Sequence, residues 1–422
     1  MRLRSILFAV PLLAAGLVPL TIAGATPVTW TQMGAPIVGA APSSLAGWGV
    51  AASGDGSRIA IGSMEDGVGN GRVQVFDWTG SAWTQVGATL VGEAYGNKFG
   101  FSVDLSTDGT RLAVGAPDNA GTGGLLRGSV RVFELIGSTW TQLGGDIDGN
   151  ADGGLFGLAV ALSGSGSRVV VSAPQAAANA GKVQSYDWNG STWVQHFSNI
   201  VGTDPGDLFG WALALSADGN RLAVGAGEHD SSRGHVRVFD WNGSGWTQAG
   251  VDVDGVSPGD RAGRAVALSA DGSILAIGSP FRDGAGTARG QVRVFRWDGS
   301  AWTPVGADID GNADYVIFGT AVALSADGLR VVAGAPYADA GGQARGQAIA
   351  FDWDGAAWVQ VGAPVDGVTT NGWAGRSLAL SGSGTRLVLG AAYDGDGSTA
   401  IGRVRMFEAP RYVAPVGPAY TG

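Results

Sequence analysis

The chain has 422 residues, no cysteine and a formal net charge of −10 at neutral pH. Lys98 and Lys182 are its only lysines, and so acidic a chain lacks the positive field that nucleic acid or anionic lipid requires. Without cysteine there are no disulfides, so a hydrophobic core must stabilise the fold, and the chain is long enough to bury one. We therefore expect no nucleic-acid partner.

The first segment has the pattern of a secretory signal peptide. Arg2 and Arg4 precede an apolar run that extends to about Leu20, and Ala23–Ala25 fits the small-residue cleavage pattern. A membrane anchor is the alternative, but two prolines interrupt the run, which is short for a membrane span. We predict cleavage after residue 25, a secreted or periplasmic protein, and no membrane span in the mature chain.

Seven similar segments then follow one another at intervals of 53 to 57 residues. Each begins with Phe-Gly or Ala-Gly, continues through an apolar run and a turn of the type SADG or SGSG, and ends in a run such as RLAVGAP. The segments begin at Ala46, Phe99, Phe156, Phe209, Ala262, Phe318 and Ala374. Self-similarity at such a period is typical of a solenoid, a propeller or a linear array.

Each repeat reads as four β-strands. The apolar run and the RLAVGAP run are the first and second strands, separated by a glycine-containing turn. After a variable loop, a third strand alternates apolar and polar residues, as in HVRVFD from His235. The fourth strand carries the phrase WTQVG. Paired tryptophans such as Trp241 and Trp246 flank the turn between the last two strands. They suit either sugar stacking or cross-strand packing, and we favour packing.

One fourth strand is displaced to the N-terminus. The third strand Arg403–Glu408 has no recognisable fourth strand after it, whereas Trp30–Gly34 carries that phrase before the first repeat. In a ring, the N-terminal strand pairs with the last blade and leaves no open end. We therefore predict an all-β fold, a seven-bladed β-propeller of four-stranded antiparallel blades over residues 26–409, closed by its N-terminal strand. Residues 410–422 form a C-terminal tail.

The repeat resembles the FG-GAP repeat, the unit of the integrin α-subunit propeller, over about residues 30–408. Phe-Gly is present at Phe99, Phe156, Phe209 and Phe318, and Gly-Ala-Pro is intact at Gly115–Pro117 and Gly334–Pro336. The resemblance implies an extracellular adhesion or binding module. Repeats of this family often bind Ca²⁺ in the hairpin between the first two strands, through an Asp-rich loop. Here that hairpin offers at most one carboxylate, so we do not expect the family's calcium sites.

The variable loops place candidate binding residues on one face of the ring. Strands alternate in direction, so the loops between second and third strands share a face with the linkers between blades, and both are long and varied. Binding residues are concentrated on such loops. The ligand-binding candidates are Arg282, Asp283, Tyr337, Asp339, His229 and Arg233.

Two linkers carry alternating oxygen ligands. The candidate metal ligands are Asp146, Asp148 and Asp152 in one linker and Asp308, Asp310 and Asp314 in another, with Asn150 and Asn312 at the intervening position. A Ca²⁺ loop presents ligands at this spacing, but here glycine comes too early and no glutamate closes the loop. We favour Asx-type turns, expect no cofactor, and allow at most weak calcium binding.

This sequence contains no identifiable catalytic constellation that would indicate an enzyme. His196 is expected on the outer edge of a strand, His229 and His235 on solvated surface, and no carboxylate pair stands out. The interpretation we favour is a non-catalytic binding or adhesion module that recognises an extracellular protein or glycan through its variable face. An extracellular hydrolase or lyase and a structural surface or matrix component are the alternatives.

Overall fold

The computed structural model describes residues 28–66, 69–120, 126–195, 199–339, 343–395 and 399–410. These residues form seven antiparallel sheets arranged as the blades of a ring, which confirms the predicted seven-bladed β-propeller. The predicted signal peptide and residues 411–422 of the predicted tail lie outside the described residues. The blades are numbered 1 to 7 in the order of their first strands.

The first strand of each blade lines the central channel. In blade order the first strands are Ala46–Ala52, Ser102–Leu105, Val160–Leu162, Ala212–Leu215, Ala265–Leu268, Val322–Leu324 and Ser377–Leu380. The second strands are Arg58–Ser63, Arg111–Ala116, Arg168–Ala173, Arg221–Ala226, Ile274–Ser279, Arg330–Ala335 and Arg386–Ala391. Leu112, Leu222 and Leu275 of the second strands have no exposed surface, because each blade packs on its neighbours through both faces.

The outer strands complete each blade. The third strands are Arg72–Trp78, Ser129–Ile136, Lys182–Trp188, His235–Trp241, Gln291–Trp297, Gln347–Trp353 and Arg403–Glu408. In blades 1 to 6 the fourth strands begin with Trp83–Gln85, Thr139–Gln142, Trp193–Gln195, Trp246–Gln248, Trp302–Pro304 and Trp358–Gln360. Each is followed by a second short piece that pairs with the same third strand, namely Leu90–Val91, Ile147–Asp148, Ile200–Val201, Val253–Asp254, Ile309–Asp310 and Val365–Asp366. The outer strand is therefore interrupted, and its second piece lies where the sequence indicated only a linker.

The N-terminal segment closes the ring as predicted. Thr31–Gln32 pairs antiparallel with the third strand of blade 7, with Thr31 opposite Glu408 and Gln32 opposite Phe407. Ile37–Val38 continues this pairing further along the same strand. Blade 7 thus has its four strands only because residues from the two ends of the chain pair with each other.

A repeated arginine joins neighbouring blades at the face of the first hairpins. Arg58 forms two hydrogen bonds of 2.6 and 2.7 Å with the carboxylate of Asp77 in its own blade, and a third of 2.9 Å with the carbonyl of Gly109 in the next. The same residue position is arginine in every blade except blade 5, where it is Ile274. The bidentate pair holds the guanidinium in place within its own blade, and the third hydrogen bond joins that blade to the next.

The tryptophan pairs are packing residues, as favoured from the sequence. Trp78 faces Trp83 across the last hairpin of blade 1, with ring centroids 5.3 Å apart. The indole N–H of Trp83 donates to the carbonyl oxygen of Met33 in the neighbouring blade at 3.0 Å. Because the rings are held between strands and blades, their faces are occupied by protein contacts.

Helical structure is almost absent from the described residues. One short turn, His229–Ser232, is assigned as helical, and Asp230 and Ser231 in it have left-handed φ values of 46° and 59°. Within the described ranges, no helix has the length and apolar character needed to cross a membrane.

Candidate functional site

One residue from each blade forms a ring at the loop-bearing end of the central channel. It is the residue directly after the Phe-Gly or Ala-Gly pair, and in blade order the seven are Trp48, Phe101, Leu158, Trp211, Arg264, Thr320 and Arg376. The preceding glycine has a positive φ, for example 85° at Gly263 and 90° at Gly375, which L side chains rarely adopt. The motif therefore directs the next side chain to the mouth of the channel, where the seven line a cavity of about 390 Å³.

The two arginines of this ring lie against tryptophan rings. The guanidinium carbon of Arg376 lies 3.6 Å from the ring centroid of Trp48, and that of Arg264 lies 3.8 Å from the ring centroid of Trp211. Such contacts attract a cation to the electron-rich face of the ring and fix its position. Both guanidiniums are therefore held at the wall of the cavity.

Neither arginine has an acidic partner within ion-pair distance among the described residues. In contrast, Arg168, Arg221 and Arg330 each form a bidentate pair with an aspartate. Burial, and after it the neighbouring charges of Arg261 and Arg376, lower the pKa of Arg264 to about 10 against the opposing effect of Glu228. Burial also lowers the pKa of Arg376. Arginine side chains stay charged at neutral pH in proteins, so the cavity holds two positive charges.

Aromatic side chains from the variable loops complete the cavity wall. Trp373, from the linker before blade 7, lies 4.2 Å from Tyr393 and 5.0 Å from Tyr337 between ring centroids. The ring of Trp48 lies 6.3 Å from that of Tyr393 and 5.4 Å from that of Phe101, so the aromatic wall continues through these side chains. Phe281 lies beneath the guanidinium of Arg261 at 4.8 Å and borders the opening. The cavity therefore combines flat apolar surfaces with two cations, a composition typical of small-ligand sites.

Below the cavity the channel is lined mostly by small apolar residues of the first strands. Asp104 of blade 2 is the one acidic residue in these seven strands, since the other blades have alanine at its position. Its carboxylate accepts the backbone N–H of Leu162 in blade 3 at 2.7 Å and that of Leu105 at 2.9 Å. Burial raises its pKa to about 6 although both hydrogen bonds oppose the shift. Asp104 thus bridges the first strands of blades 2 and 3.

Of the predicted ligand-binding residues, only Tyr337 lines the central cavity. Arg282 lies 3.7 Å from Asp260 and donates to the hydroxyl of Ser257 at 2.9 Å, which ties a loop to a linker. Asp283 accepts the backbone N–H of Ala288 within its own loop. Arg233 pairs with Asp230 three residues earlier at 3.4 Å, and Asp339 is exposed. The structure therefore does not gather these candidates at one site.

The expectation that the histidines are solvated is wrong for His235. This side chain is 1% exposed and its ring stacks on that of His229, with centroids 4.0 Å apart. Burial lowers the pKa of His235, and the neighbouring His229 lowers it further. The sequence gives no sign of this, because the alternation of apolar and polar residues in the third strand predicts that its first residue is exposed. His196 lies outside the described residues.

His229, a predicted ligand-binding residue, lies in a separate depression between blades 3 and 4. Its Nδ1 atom is 3.0 Å from the carboxylate of Asp207, and these two residues and Asp204 bring ligand atoms within 4.8 Å of one another. Asp207 also accepts the backbone N–H of Asp204 at 3.1 Å, as Asp260 accepts that of Ser257 in the next linker. The contacts of Asp207 are thus those of a residue that closes the linker turn.

Four of the six predicted linker carboxylates have separate protein partners. Asp146 accepts the side-chain N–H of Gln142 at 2.7 Å, and Asp152 pairs with Arg127 at 2.6 Å. In the second linker Asp310 accepts from Gln291 at 2.9 Å, and Asp314 lies 3.6 Å from Arg289. Asp308 makes no such bond within the described residues, and Asp148 belongs to a two-residue strand. Among the described residues, these six predicted carboxylates do not form a group that would hold a metal ion.

Arg264, Arg376, Trp48 and Trp211 were not among the binding residues predicted from the sequence. A signal was present, since the residue after Phe-Gly or Ala-Gly varies strongly within an otherwise uniform motif. A site at the centre of a ring can be recognised from such a position only after the ring is known. Comparison of the chain with protein-family models and with curated protein sequences gives no match.

Proposed function

We propose that this chain is a secreted, FG-GAP-like propeller that acts as a binding or adhesion module, and that its recognition site is the central cavity on the loop-bearing face. The observation that carries the proposal is the convergence of one side chain per blade, together with Trp373 and Tyr337 from variable loops, on a single cavity of about 390 Å³. This volume is in the range of sites for small ligands or for one unit of a larger partner.

The surroundings of the cavity also favour recognition of an extracellular partner. Tyr95 and Tyr315, on two linkers of the same face, are 84% and 64% exposed. Large aromatic residues at this exposure are common in interfaces, where they contribute contact area at low cost in conformational entropy. Repeated identical pockets, one per blade, would indicate a multivalent lectin. The seven different ring residues instead favour a single site.

The proposal favours binding over catalysis because of the residues at the cavity. Its described lining contains arginine, threonine, tyrosine and apolar side chains, and no carboxylate or histidine among them. Glycoside hydrolysis ordinarily requires a pair of carboxyl groups, and general acid–base chemistry most often uses histidine or carboxylate. A hydrolase or a lyase is therefore less favoured than a binding module. A structural role without a discrete ligand is the other alternative.

The test is a glycan array combined with affinity capture of extracellular proteins by the purified chain. Trp373→Ala and Tyr337→Ala alter the cavity wall, and Ile136→Ala, which removes an exposed side chain from the last hairpin of blade 2, is the control. We expect ligands that wild type and Ile136→Ala retain and that both cavity variants lose. Ligands retained equally by all four proteins, or no ligand for the wild type, would contradict the proposal.

A further inference from the structure

We propose that the central cavity binds a sugar carboxylate, with Arg264 and Arg376 on either side of the carboxylate and the aromatic wall against the sugar ring. The inference rests on the proposed function and specifies its ligand. An acidic polysaccharide, with uronate units along its length or at its end, is the class of partner that presents this group.

The order of residues around the ring leaves a gap between the two guanidiniums. Arg264 and Arg376 belong to blades 5 and 7, and the residue between them in blade 6 is Thr320. Each arginine is backed on its far side by a tryptophan, and the Thr320 hydroxyl donates to the carbonyl of Ile317 at 2.7 Å. Because threonine is small, the space above it opens into the cavity. The two cations therefore flank one recess.

The two arginines of the recess form no ion pair with a carboxylate among the described residues. The chain as a whole carries a net charge of −10, yet no carboxylate of the described residues pairs with either arginine. The charge of Arg376 also lowers the pKa of Arg264, so the two guanidiniums lie near enough to repel each other. Both guanidiniums are half-buried like charges, and an anion between them would relieve their repulsion and accept hydrogen bonds from both. The recess thus favours a bound anion.

The cavity fits a ring better than an acidic side chain of a protein. A single carboxylate would occupy the recess beside Thr320 and leave the rest of the 390 Å³ unfilled. Trp373, Tyr337 and Tyr393 form an aromatic cluster beside the recess, with centroid separations of 4.2 and 5.0 Å and interplanar angles of 52° and 68°. Flat apolar faces of this kind pack against the C–H face of a sugar ring. The carboxylate and the ring together account for both parts of the cavity.

The experiment measures binding of defined sugars by isothermal titration calorimetry. The probes are oligomers of D-galacturonate and D-glucuronate, matched neutral oligomers of D-galactose and D-glucose, and a hexaglutamate peptide. We expect an acidic oligomer to bind, and its neutral counterpart to bind at least about tenfold more weakly, since a charged group contributes more than a neutral hydrogen bond. Arg264→Gln and Arg376→Gln should each weaken acidic-oligomer binding by about tenfold or more.

Arg296→Gln is the matched control for charge. Arg296 is exposed on the third strand of blade 5, near the hairpin at the opposite face, so the substitution removes one positive charge away from the cavity. Binding should be unchanged in this variant. Both cavity variants should melt within a few degrees of wild type, because each removes a half-buried charge that has no acidic partner but also loses one contact with a tryptophan ring.

The outcomes separate this inference from the proposed function. Equal affinity for neutral and acidic oligomers, or binding that both arginine variants retain, would overturn the sugar-carboxylate inference. Loss of the same ligand in Trp373→Ala would then leave the binding function standing. Binding of the hexaglutamate peptide without binding of any acidic oligomer would also overturn the inference. Acidic-oligomer binding that no cavity variant affects would overturn both.

Discussion

The guanidinium of Arg376, in the last blade, lies 3.6 Å from the ring centroid of Trp48, in the first. This contact spans the junction where the two ends of the chain meet. The same junction is closed by pairing of Thr31 and Gln32 with the third strand of blade 7. Part of the cavity wall therefore depends on ring closure, and loss of the closing strand should affect both stability and binding.

Deletion of residues 28–38 should destabilise the protein strongly. The deletion removes both pieces of the outer strand of blade 7 and exposes the edge of Arg403–Glu408. We expect the melting temperature to fall on the order of 5–10 °C, measured by calorimetry. Removal of residues 414–422 is the control and should change it little. An unchanged melting temperature in the first deletion would contradict the closure account.

Arg330→Ala should be the most damaging of the substitutions at the inter-blade arginines. The side chain of Arg330 is fully buried, and it binds the Asp352 carboxylate through bonds of 2.6 and 2.7 Å and the carbonyl of Gly384 at 2.7 Å. Its removal leaves a buried carboxylate without its cation, which costs about 3–5 kcal/mol. Chemical denaturation measures this free energy of unfolding.

The control for that prediction is Arg386→Ala. Arg386 pairs with Glu408 at 3.1 Å, but the side chains are 25% and 51% exposed. Solvent screens such a pair, so the loss should be about 1 kcal/mol or less. Equal losses for the two variants would show that burial does not determine the strength of these junctions.

Asp104→Asn should stabilise the protein at neutral pH and flatten its pH dependence. Because burial raises the folded-state pKa of Asp104 to about 6, from an ordinary value of 3.8, the folded state binds more protons between those values. Stability contributed by this group is therefore present below about pH 4 and lost as the pH rises towards 6. Asparagine keeps an acceptor for the N–H of Leu162, so we expect a gain on the order of 1–3 kcal/mol at pH 7.

Asp108→Asn in the same blade is a control of opposite sign. Burial alone would raise the pKa of Asp108, but hydrogen bonds from Ser106 and Thr110 lower it below its ordinary value. The stability it contributes is present at neutral pH and is lost as the pH falls below about 4. Asp108→Asn should therefore destabilise by about 1 kcal/mol at pH 7. Parallel pH profiles for the two variants would contradict both assignments.

Millimolar Ca²⁺ should change the melting temperature little beyond the effect of matched ionic strength. In the first hairpins, carboxylates such as that of Asp55 accept hydrogen bonds from Ser53 and Ser57. In the linkers, four of the six predicted carboxylates have the separate partners described above. A tight ligand of the folded state would raise stability as its concentration exceeds its dissociation constant. A large shift that Asp148→Ala combined with Asp310→Ala abolishes would show metal binding at the linkers.

The fold was predictable from the sequence because its signals are local and repeated. Turn glycines, alternating third strands and the displaced phrase at Trp30–Gly34 each recur in phase, and together they determine the blade number and the closing strand. The second piece of each outer strand was missed, because two residues such as Ile147 and Asp148 carry too little pattern to separate a strand from a linker.

The candidate site was only partly predictable, for a geometric reason. Tyr337 was among the predicted binding residues because it lies on a variable loop. Arg264, Thr320 and Arg376 occupy the same position of three different repeats, more than fifty residues apart in the chain. Their proximity arises from the curvature of the ring and not from any local motif. Likewise, pairing of Arg282 with Asp260 depends on packing between a loop and a linker, which sequence spacing does not reveal.

Thr320→Trp tests the central claim most directly, because it fills the recess between the two arginines and leaves the charge of the protein unchanged. The ring tolerates tryptophan at this position in blades 1 and 4, as Trp48 and Trp211 show, so the variant should melt as wild type does. The measurement is calorimetric titration with the acidic oligomer that wild type binds. We predict a loss of affinity of about tenfold or more. Wild-type affinity in a folded Thr320→Trp protein would contradict the placement of the ligand at the centre of the ring.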